Sequence, residues 1–351
     1  MATSQKLSKC SEGIILGCGN PLLDLQTDVN LEYLQKWNLN ENDAILASDQ
    51  HIPMFEELVK NPNTLYLPGG ATQNTLRVFQ WITNEPNRAT FFGCIGDDKY
   101  GVILREKARE AGLNVCYQVK KGKKTGMCAA LITGQQRSLC AHLAAANLFT
   151  FDHLEEVENR TIIDKAQYFY ISGFFITVCP EAVKFIAKHA SEHNKVLTFN
   201  LAAQFIPKLF GDDFLAILSY VDILFGNESE ALAFAEANHY NTHDLHEIGA
   251  RIAAFPKVNT RRNRIVIITQ GSDPTLVFQM GDDALMEFSV QKLKAEEIID
   301  TNGAGDAFVG GFLAQFVQNK SIAECIECGH YAARAIIQQE GCTIPPTCLY
   351  H

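Results

Sequence analysis

The run Glu297-Ile-Ile-Asp-Thr-Asn-Gly-Ala-Gly-Asp-Ala-Phe-Val-Gly-Gly-Phe-Leu313 joins a short apolar segment, three small residues and an apolar helical pattern. Its opening, Glu297 to Ile299, reads as the end of a strand. Ala307, Phe308, Gly311, Phe312 and Phe316 then recur at helical spacing. Gly303, Ala304 and Gly305 put no bulky side chain where that helix begins. Its first-turn N–H groups therefore stay open to an anionic oxygen. Asp306 stands beside them, close enough in sequence to take a proton from an attacking alcohol. Phosphoryl transfer needs this pairing of an oriented hydroxyl with fixed positive dipoles. The plainer alternative is a capped helix with glycines for packing, since aspartate is favoured at helix starts. No G-x-x-x-x-G-K-[ST] loop occurs, and Gly17-Cys-Gly19 runs into Asn20-Pro-Leu22 without a third glycine, so neither common nucleotide fingerprint applies.

Outward from this run, strands and helices alternate. Gly13 to Gly19 and Asn63 to Pro68 read as strands, the second followed by Gly69-Gly70 and a helix from Ala71 to Trp81. A strand at Thr90 to Gly93 precedes a helix from Tyr100 to Ala111. Further helices are expected at 152–164, 180–193 and 228–237. Further strands are expected at Tyr168 to Ile171, Val196 to Phe199, Val221 to Phe225 and Arg264 to Thr269. Cys128 to Thr133 and Arg137 to Ala141 read as two strands joined by a polar turn. The alternation predicts an α/β fold, a mostly parallel sheet with helices on both faces. Residues 1–23, 69–115 and 146–351 would form this large unit, and 24–68 with 116–145 a smaller β-rich lid.

The chain has 351 residues, 47% of them hydrophobic, enough for a substantial core. Its formal charge is -10, and cations gather only in short groups such as Lys120, Lys121, Lys123 and Lys124. A nucleic-acid footprint needs clustered cations, so nucleic acid is not an expected partner. No stretch approaches the 18 or so uninterrupted apolar residues of a membrane span, and no apolar leader follows Met1. The 11 cysteines, scattered from Cys10 to Cys348, lack a secreted framework and point to free thiols in a reducing, cytoplasmic setting, with nuclear access left open. Cys325-Ile-Glu-Cys328 has metal-like spacing but no second pair, and reads as structural thiols in a helix.

Six motifs carry a resemblance to a known family: Asp300 to Asp306, Gly69-Gly-Ala-Thr-Gln-Asn74, Gly19-Asn-Pro-Leu-Leu-Asp24, Phe91-Phe-Gly-Cys-Ile-Gly-Asp97, Leu143-Ala-Ala-Ala-Asn147 and Val221-Asp-Ile-Leu-Phe-Gly-Asn-Glu-Ser-Glu230. The sequence resembles the ribokinase-like (PfkB) sugar and nucleoside kinases, and within them the members that phosphorylate adenosine, in register from about residue 12 to 346. The resemblance implies a three-layer ribokinase-like fold with a discontinuous lid, and a monomer. It implies ATP-dependent phosphorylation of the adenosine 5′-hydroxyl to AMP, in purine salvage, with Mg²⁺. Asp306 would be the base, and Gly303, Ala304 and Gly305 the anion nest.

For the nucleoside, the resemblance implies Asp24, Gly70 and Asn74 holding the ribose, with Asn20, Gly69 and Asn302 also in the substrate site. Phe174 would stack on the base, although Phe175 is adjacent and sequence alone does not choose between them. Leu22, Ile45, Leu46, Leu139 and Ala141 would enclose it. Ala71 departs from the serine common in related kinases, which would remove one polar contact to the base. Arg137 would be a lid arginine that meets the phosphates on closure. Asn227 and Glu230 would mark the Mg²⁺ region, directly or through water. Thr269, Gly271, Asn302, Gly303, Gly305 and His330 would form the nucleotide wall, His330 being also readable as an ordinary half-buried histidine. A kinase of the same fold acting on a bare sugar or another nucleoside, and a non-catalytic nucleoside-binding or regulatory protein, are the competing readings.

Overall fold

The computed structural model describes residues 12–41, 44–134, 136–280 and 285–350; the leader with Cys10, and Gln135 of the lid turn, lie outside the described residues. Its strands are β1 (Ile15–Cys18), β2 (Leu22–Asp28), β3 (Ala44–Leu46), β4 (Leu65–Gly69), β5 (Ala89–Gly96), β6 (Asn114–Lys120) and β7 (Met127–Thr133). There follow β8 (Gln136–His142), β9 (Tyr168–Ser172), β10 (Val196–Asn200), β11 (Ile223–Asn227), β12 (Ile265–Gln270), β13 (Asp273–Gln279) and β14 (Leu285–Phe288). A nine-stranded sheet has the order β14-β13-β12-β11-β10-β9-β1-β5-β6. From β12 to β6 every pairing is parallel, and only β13 and β14 turn antiparallel.

The central strands explain themselves. All of β1 and all of β5 are buried, as strands covered by helices on both faces must be. In β9 the side chains alternate. Phe169 and Ile171 join one core with Val183 and Ile186, while Tyr170 joins the other with Leu76, Phe79, Phe308 and Phe312. From β1 the chain builds the sheet outward through β5 and β6, then returns to the other edge of β1 with β9 and builds the opposite way. That makes its C-terminal end the switch point at which open α/β sheets take their ligands.

A five-stranded sheet, β3-β8-β7-β2-β4, forms the smaller unit. The hairpin between β7 and β8 closes at Thr133 and Gln136, where the sequence pattern puts a turn. Two boundaries differ from expectation. Cys116 to Lys120 belongs to β6 and pairs with β5 in the large sheet, because Val115 and Tyr117 are buried in the core beneath it. Leu22 and Leu23 already pair with Gly69 and Pro68 in the small sheet. The strand expected at Glu297 to Ile299 is absent. Ala295–Glu297 is a 3-10 turn, and the amides of Ile299 and Asp300 donate to the carbonyl of Ile337 at 2.9 and 3.1 Å, which ties this segment to a helix end instead of a sheet.

Two adjacent glycines set the position of the motif helix, Ala304–Phe316. A Cβ on Gly310 would lie 2.5 Å from the Thr75 carbonyl oxygen, and one on Gly311 would lie 2.5 Å from that of Cys328. Only hydrogen at these positions lets the helix wedge between the Ala71–Thr83 and Ile322–Ile336 helices. The wedge aims its N-terminus at the ends of β1, β9 and β11. Cys325 and Cys328 are buried on the Ile322–Ile336 helix, and the described cysteines are free thiols, as expected.

Candidate active site

The motif helix starts without a side-chain cap. Its N-cap, Gly303, sits at φ +77, a left-handed conformation natural to glycine, and a Cβ there would come within 3.0 Å of the Cys342 Cβ. No side chain therefore covers the amides of the first turn, and the positive end of the helix dipole opens into the cleft. Asp306, in that first turn, accepts a hydrogen bond at Oδ2 from Asn74 Nδ2 at 3.2 Å. Asn74 cannot swing away, because its own Oδ1 accepts from Arg77 Nη1 at 3.2 Å. Arg77 is in turn fixed by the Pro68 carbonyl at 2.7 Å and the Cys342 carbonyl at 3.3 Å. Arg77 is a positioning residue that sequence reasoning missed. The signal was available, since it lies one helical turn beyond Asn74.

Asp306 is part-exposed into the cleft yet densely surrounded by protein. Burial pushes its carboxyl up to about 7; the Asn74 hydrogen bond opposes this, while the charges of Asp24 and Glu230 reinforce it. Asp24 is likewise pushed up to about 7 by burial, with Arg137 and Arg77 pulling the other way. Its carboxylate lies where the Cβ of residue 69 would be, since an added methyl would sit 2.2 Å from Oδ1 and 2.3 Å from Oδ2. Gly70, at φ +94, brings its Cα against the Asn20 carbonyl, and a Cβ would meet that oxygen at 2.1 Å. The Gly69-Gly70 pair thus makes room for Asp24 and Asn20. Gly70→Ala is expected to cost about 2 kcal/mol or more through backbone strain and that clash. It should lower Tm in thermal unfolding.

One cleft is lined by Ala71, Phe174, Asn227, Glu230, Thr269, Gly303, Gly305 and Asp306, all expected site residues. It also takes in Asn200, Ala202, Phe225, Gly226, Phe308 and Val309, which the sequence pattern did not single out. Most of these sit at the C-terminal ends of β9, β10, β11 and β12 or just beyond, where the switch point places a ligand. Ala202, at φ +66, is a non-glycine residue in the left-handed region, held by its amide donating to Asn200 Oδ1 at 3.0 Å. The choice between the two phenylalanines is resolved by burial: Phe175 is wholly in the core against Phe149, while Phe174 lines the cleft with Phe205 at 6.1 Å behind it.

Asn227 and Glu230 form a reciprocal cap at the start of the Glu228–Ala237 helix. Asn227 Oδ1 accepts the Glu230 amide at 2.9 Å, and Glu230 Oε2 accepts the Asn227 amide at 3.0 Å. The capping pair also lines the cleft. Burial raises the Glu230 carboxyl above its ordinary value. No cluster of three or more His, Cys, Asp or Glu suited to a metal is found among the described residues.

Other expected residues fall outside the cleft wall. Arg137 is drawn to the seam between the two sheets, its Nε 2.6 Å from Asp300 Oδ2 and its Nη2 donating to Gln26 Oε1 at 2.8 Å. Gln26 continues to Glu340 at 3.0 Å, and Asp300 also accepts the Gly341 and Asn302 amides, each at 2.9 Å. A second cavity of about 480 Å³ opens at this seam between Arg137, Ile298, Ile299 and Glu340. The guanidinium is thus a tie between lid and motif here rather than part of the cleft. His330 packs behind Phe308 and meets Thr275 Oγ1 at 2.8 Å, with burial and then Arg334 holding its imidazole below the usual range. Gly271, at φ +57, is an exposed turn residue. Ala304 and Asn302 adjoin the nest without lining the cleft. Leu22, Leu139 and Ala141 gather with Cys128 and Ala146, and Ile45 packs into the main core, whereas Leu46 is 65% exposed.

With this geometry in view, the model of the pfkB family of carbohydrate kinases matches residues 33–348. The chain belongs to that family. Among similar members, Adenosine kinase 2 of Arabidopsis thaliana is 44% identical over 334 residues, 95% of this chain and 96% of its own. The adenosine kinase of Dictyostelium discoideum is 43% identical over 331 residues, 94% of this chain and 96% of its own. The crystal structure of Anopheles gambiae adenosine kinase in complex with P1,P4-di(adenosine-5) tetraphosphate superposes with TM-score 0.88 at 51% identity, covering 95% of this chain and 99% of that one. In this pfkB-family kinase, then, the ribokinase-like architecture read from the sequence is the architecture found.

Proposed function

We propose that the protein transfers the γ-phosphoryl group of ATP to the 5′-hydroxyl of adenosine, giving AMP and ADP. The observation that carries this reading is Asp306, fixed by Asn74 beside the uncapped start of the motif helix, in one cleft with the Phe174 ring. A sequence and fold shared with adenosine kinases over nearly the whole chain support the same conclusion.

In this reading Asp24 accepts hydrogen bonds from the ribose diol, and Phe174 offers its face to the adenine. Asp306 takes the proton as the O5′–P bond forms, and the bond to the bridging oxygen breaks with ADP as leaving group. With a carboxyl near 7, Asp306 is poised to gain a proton from the alcohol and to lose it again afterwards. The first-turn amides meet the oxygens of the group in flight. ATP lies along the Thr269 and Asn227 side. Mg²⁺ would neutralise phosphate charge as the bond breaks. Because both Glu230 oxygens already accept from Asn227, at 3.0 Å each, the pair suits a hydrated ion held through water. Arg137, on the lid hairpin, is the cation nearest the motif and would supplement the amides on closure.

The test is a coupled assay of ADP release with Mg-ATP and adenosine, inosine, guanosine or ribose. The expected result is equimolar AMP and ADP with adenosine, and far slower turnover with the rest. Absence of adenosine-dependent ADP release would overturn the reading; ribose turned over as fast as adenosine would overturn the role of Phe174.

A further inference from the structure

Ser172, the last residue of β9, is only 2% exposed, and its hydroxyl has no hydrogen-bond partner among the described residues. A buried polar group left this way costs about 1–3 kcal/mol, so it asks for a ligand or a reason. Strand geometry locates the group. Tyr170 faces the Ala71–Thr83 helix, where its hydroxyl accepts from Thr75 Oγ1 at 3.3 Å. Ser172 shares that face and lies two residues, about 7 Å, nearer the cleft edge. Along the helix, Ala71 precedes Thr75 by about one turn, some 6 Å toward the same edge. Ser172 thus lies buried just beneath the cleft edge that Ala71 lines, on the strand face turned toward that helix, and the Ala71 methyl offers neither donor nor acceptor.

The surroundings point to the nucleoside. Ser172 aligns with Asn200, which lines the cleft, and stands two residues before Phe174. On the neighbouring strand Cys18 aligns with Ile171, so Asn20 emerges at the same edge, and its buried Oδ1 is likewise unpartnered. Two orphaned polar atoms thus stand at the ends of adjacent strands, close in sequence to the cleft-lining Phe174 and Asn200.

We propose that Ser172 is a specificity-determining residue for the base: its hydroxyl donates a hydrogen bond to a ring nitrogen of the bound purine, directly or through one water. This rests on the adenosine reading above, and the wild-type assay tests that reading separately. The inference itself is read from dissociation constants of wild type and Ser172→Ala for adenosine, its 1-deaza, 3-deaza and 7-deaza analogues, and 3′-deoxyadenosine. The substitution should weaken adenosine roughly 2–12-fold, the effect of one neutral hydrogen bond. It should weaken 3′-deoxyadenosine by the same factor, and leave unchanged the one deaza analogue that lacks the partner nitrogen. Tm should not fall, since an unpartnered hydroxyl contributes no bond to the fold. Equal weakening of all three deaza analogues, a loss that disappears with 3′-deoxyadenosine, or no loss with adenosine would each overturn the inference.

Discussion

Asp306→Asn is expected to lower kcat about 10²–10⁴-fold while leaving the dissociation constant for adenosine within a few-fold of wild type. The substitution keeps the shape of the side chain and an oxygen for Asn74 Nδ2, so the Asn74–Arg77 brace survives. It removes only the ability to take a proton. The pH profile adds a second check. Burial raises the Asp306 carboxyl to about 7, so the active carboxylate of the free enzyme is lost as pH falls through that value. In wild type kcat/KM should therefore decline below about pH 7 through both Asp306 and Asp24, and the asparagine variant should keep only the shallower limb that Asp24 leaves. Near-normal turnover in the variant would remove Asp306 from the chemistry.

Stability should move the other way. A carboxyl that titrates near its ordinary value when unfolded but near 7 when folded binds more protons in the native state between those limits. Its contribution to stability is thus greatest at low pH and is lost as pH rises through the folded value. Above pH 7 the native protein holds an unfavourable buried charge, which asparagine does not. The Tm of the variant at pH 8 should equal or exceed that of wild type, a cost of function written into the fold.

How far the chain could be read in advance depended on how local each signal was. The motif helix, the Gly69-Gly70 turn and the Asn227–Glu230 cap are decided within a few residues, and sequence was enough for them. Ile298 and Ile299 show the limit. A short apolar pair before a glycine turn looks like a strand end, but its amides bond to Ile337, which no local pattern reports. Arg137 shows the same limit at a charged residue, since its partners Asp300 and Gln26 come from distant parts of the chain. Asn200 and Ser172 were passed over because a polar residue at a strand end looks like any other until its neighbours are known, whereas Arg77 lay within reach of the helical spacing from Asn74. The assignment of Cys116 to Lys120 to the lid failed because an edge strand of the large sheet and a strand of the small one carry similar composition.

Asp24→Ala is expected to weaken adenosine binding by roughly 10²-fold or more, with a much smaller effect on kcat at saturation. A carboxylate accepting from two adjacent hydroxyls makes two charge-assisted hydrogen bonds, each contributing about 1.5–3 kcal/mol, and both vanish with the side chain. The loss should be specific to the diol: 2′-deoxy- and 3′-deoxyadenosine, each already lacking one bond, should lose less on substitution than adenosine does. Since burial also raises Asp24 to about 7, wild-type binding should weaken as pH falls below that value, and Asp24→Asn should flatten the dependence. The fold should tolerate the change. Removing a carboxylate that is wedged against Gly69 relieves a buried charge, while Arg77 remains tied to the Pro68 carbonyl. An unaltered adenosine dissociation constant in the alanine variant would move the ribose elsewhere in the cleft, and the glycine pair that clears the space for Asp24 would need another purpose.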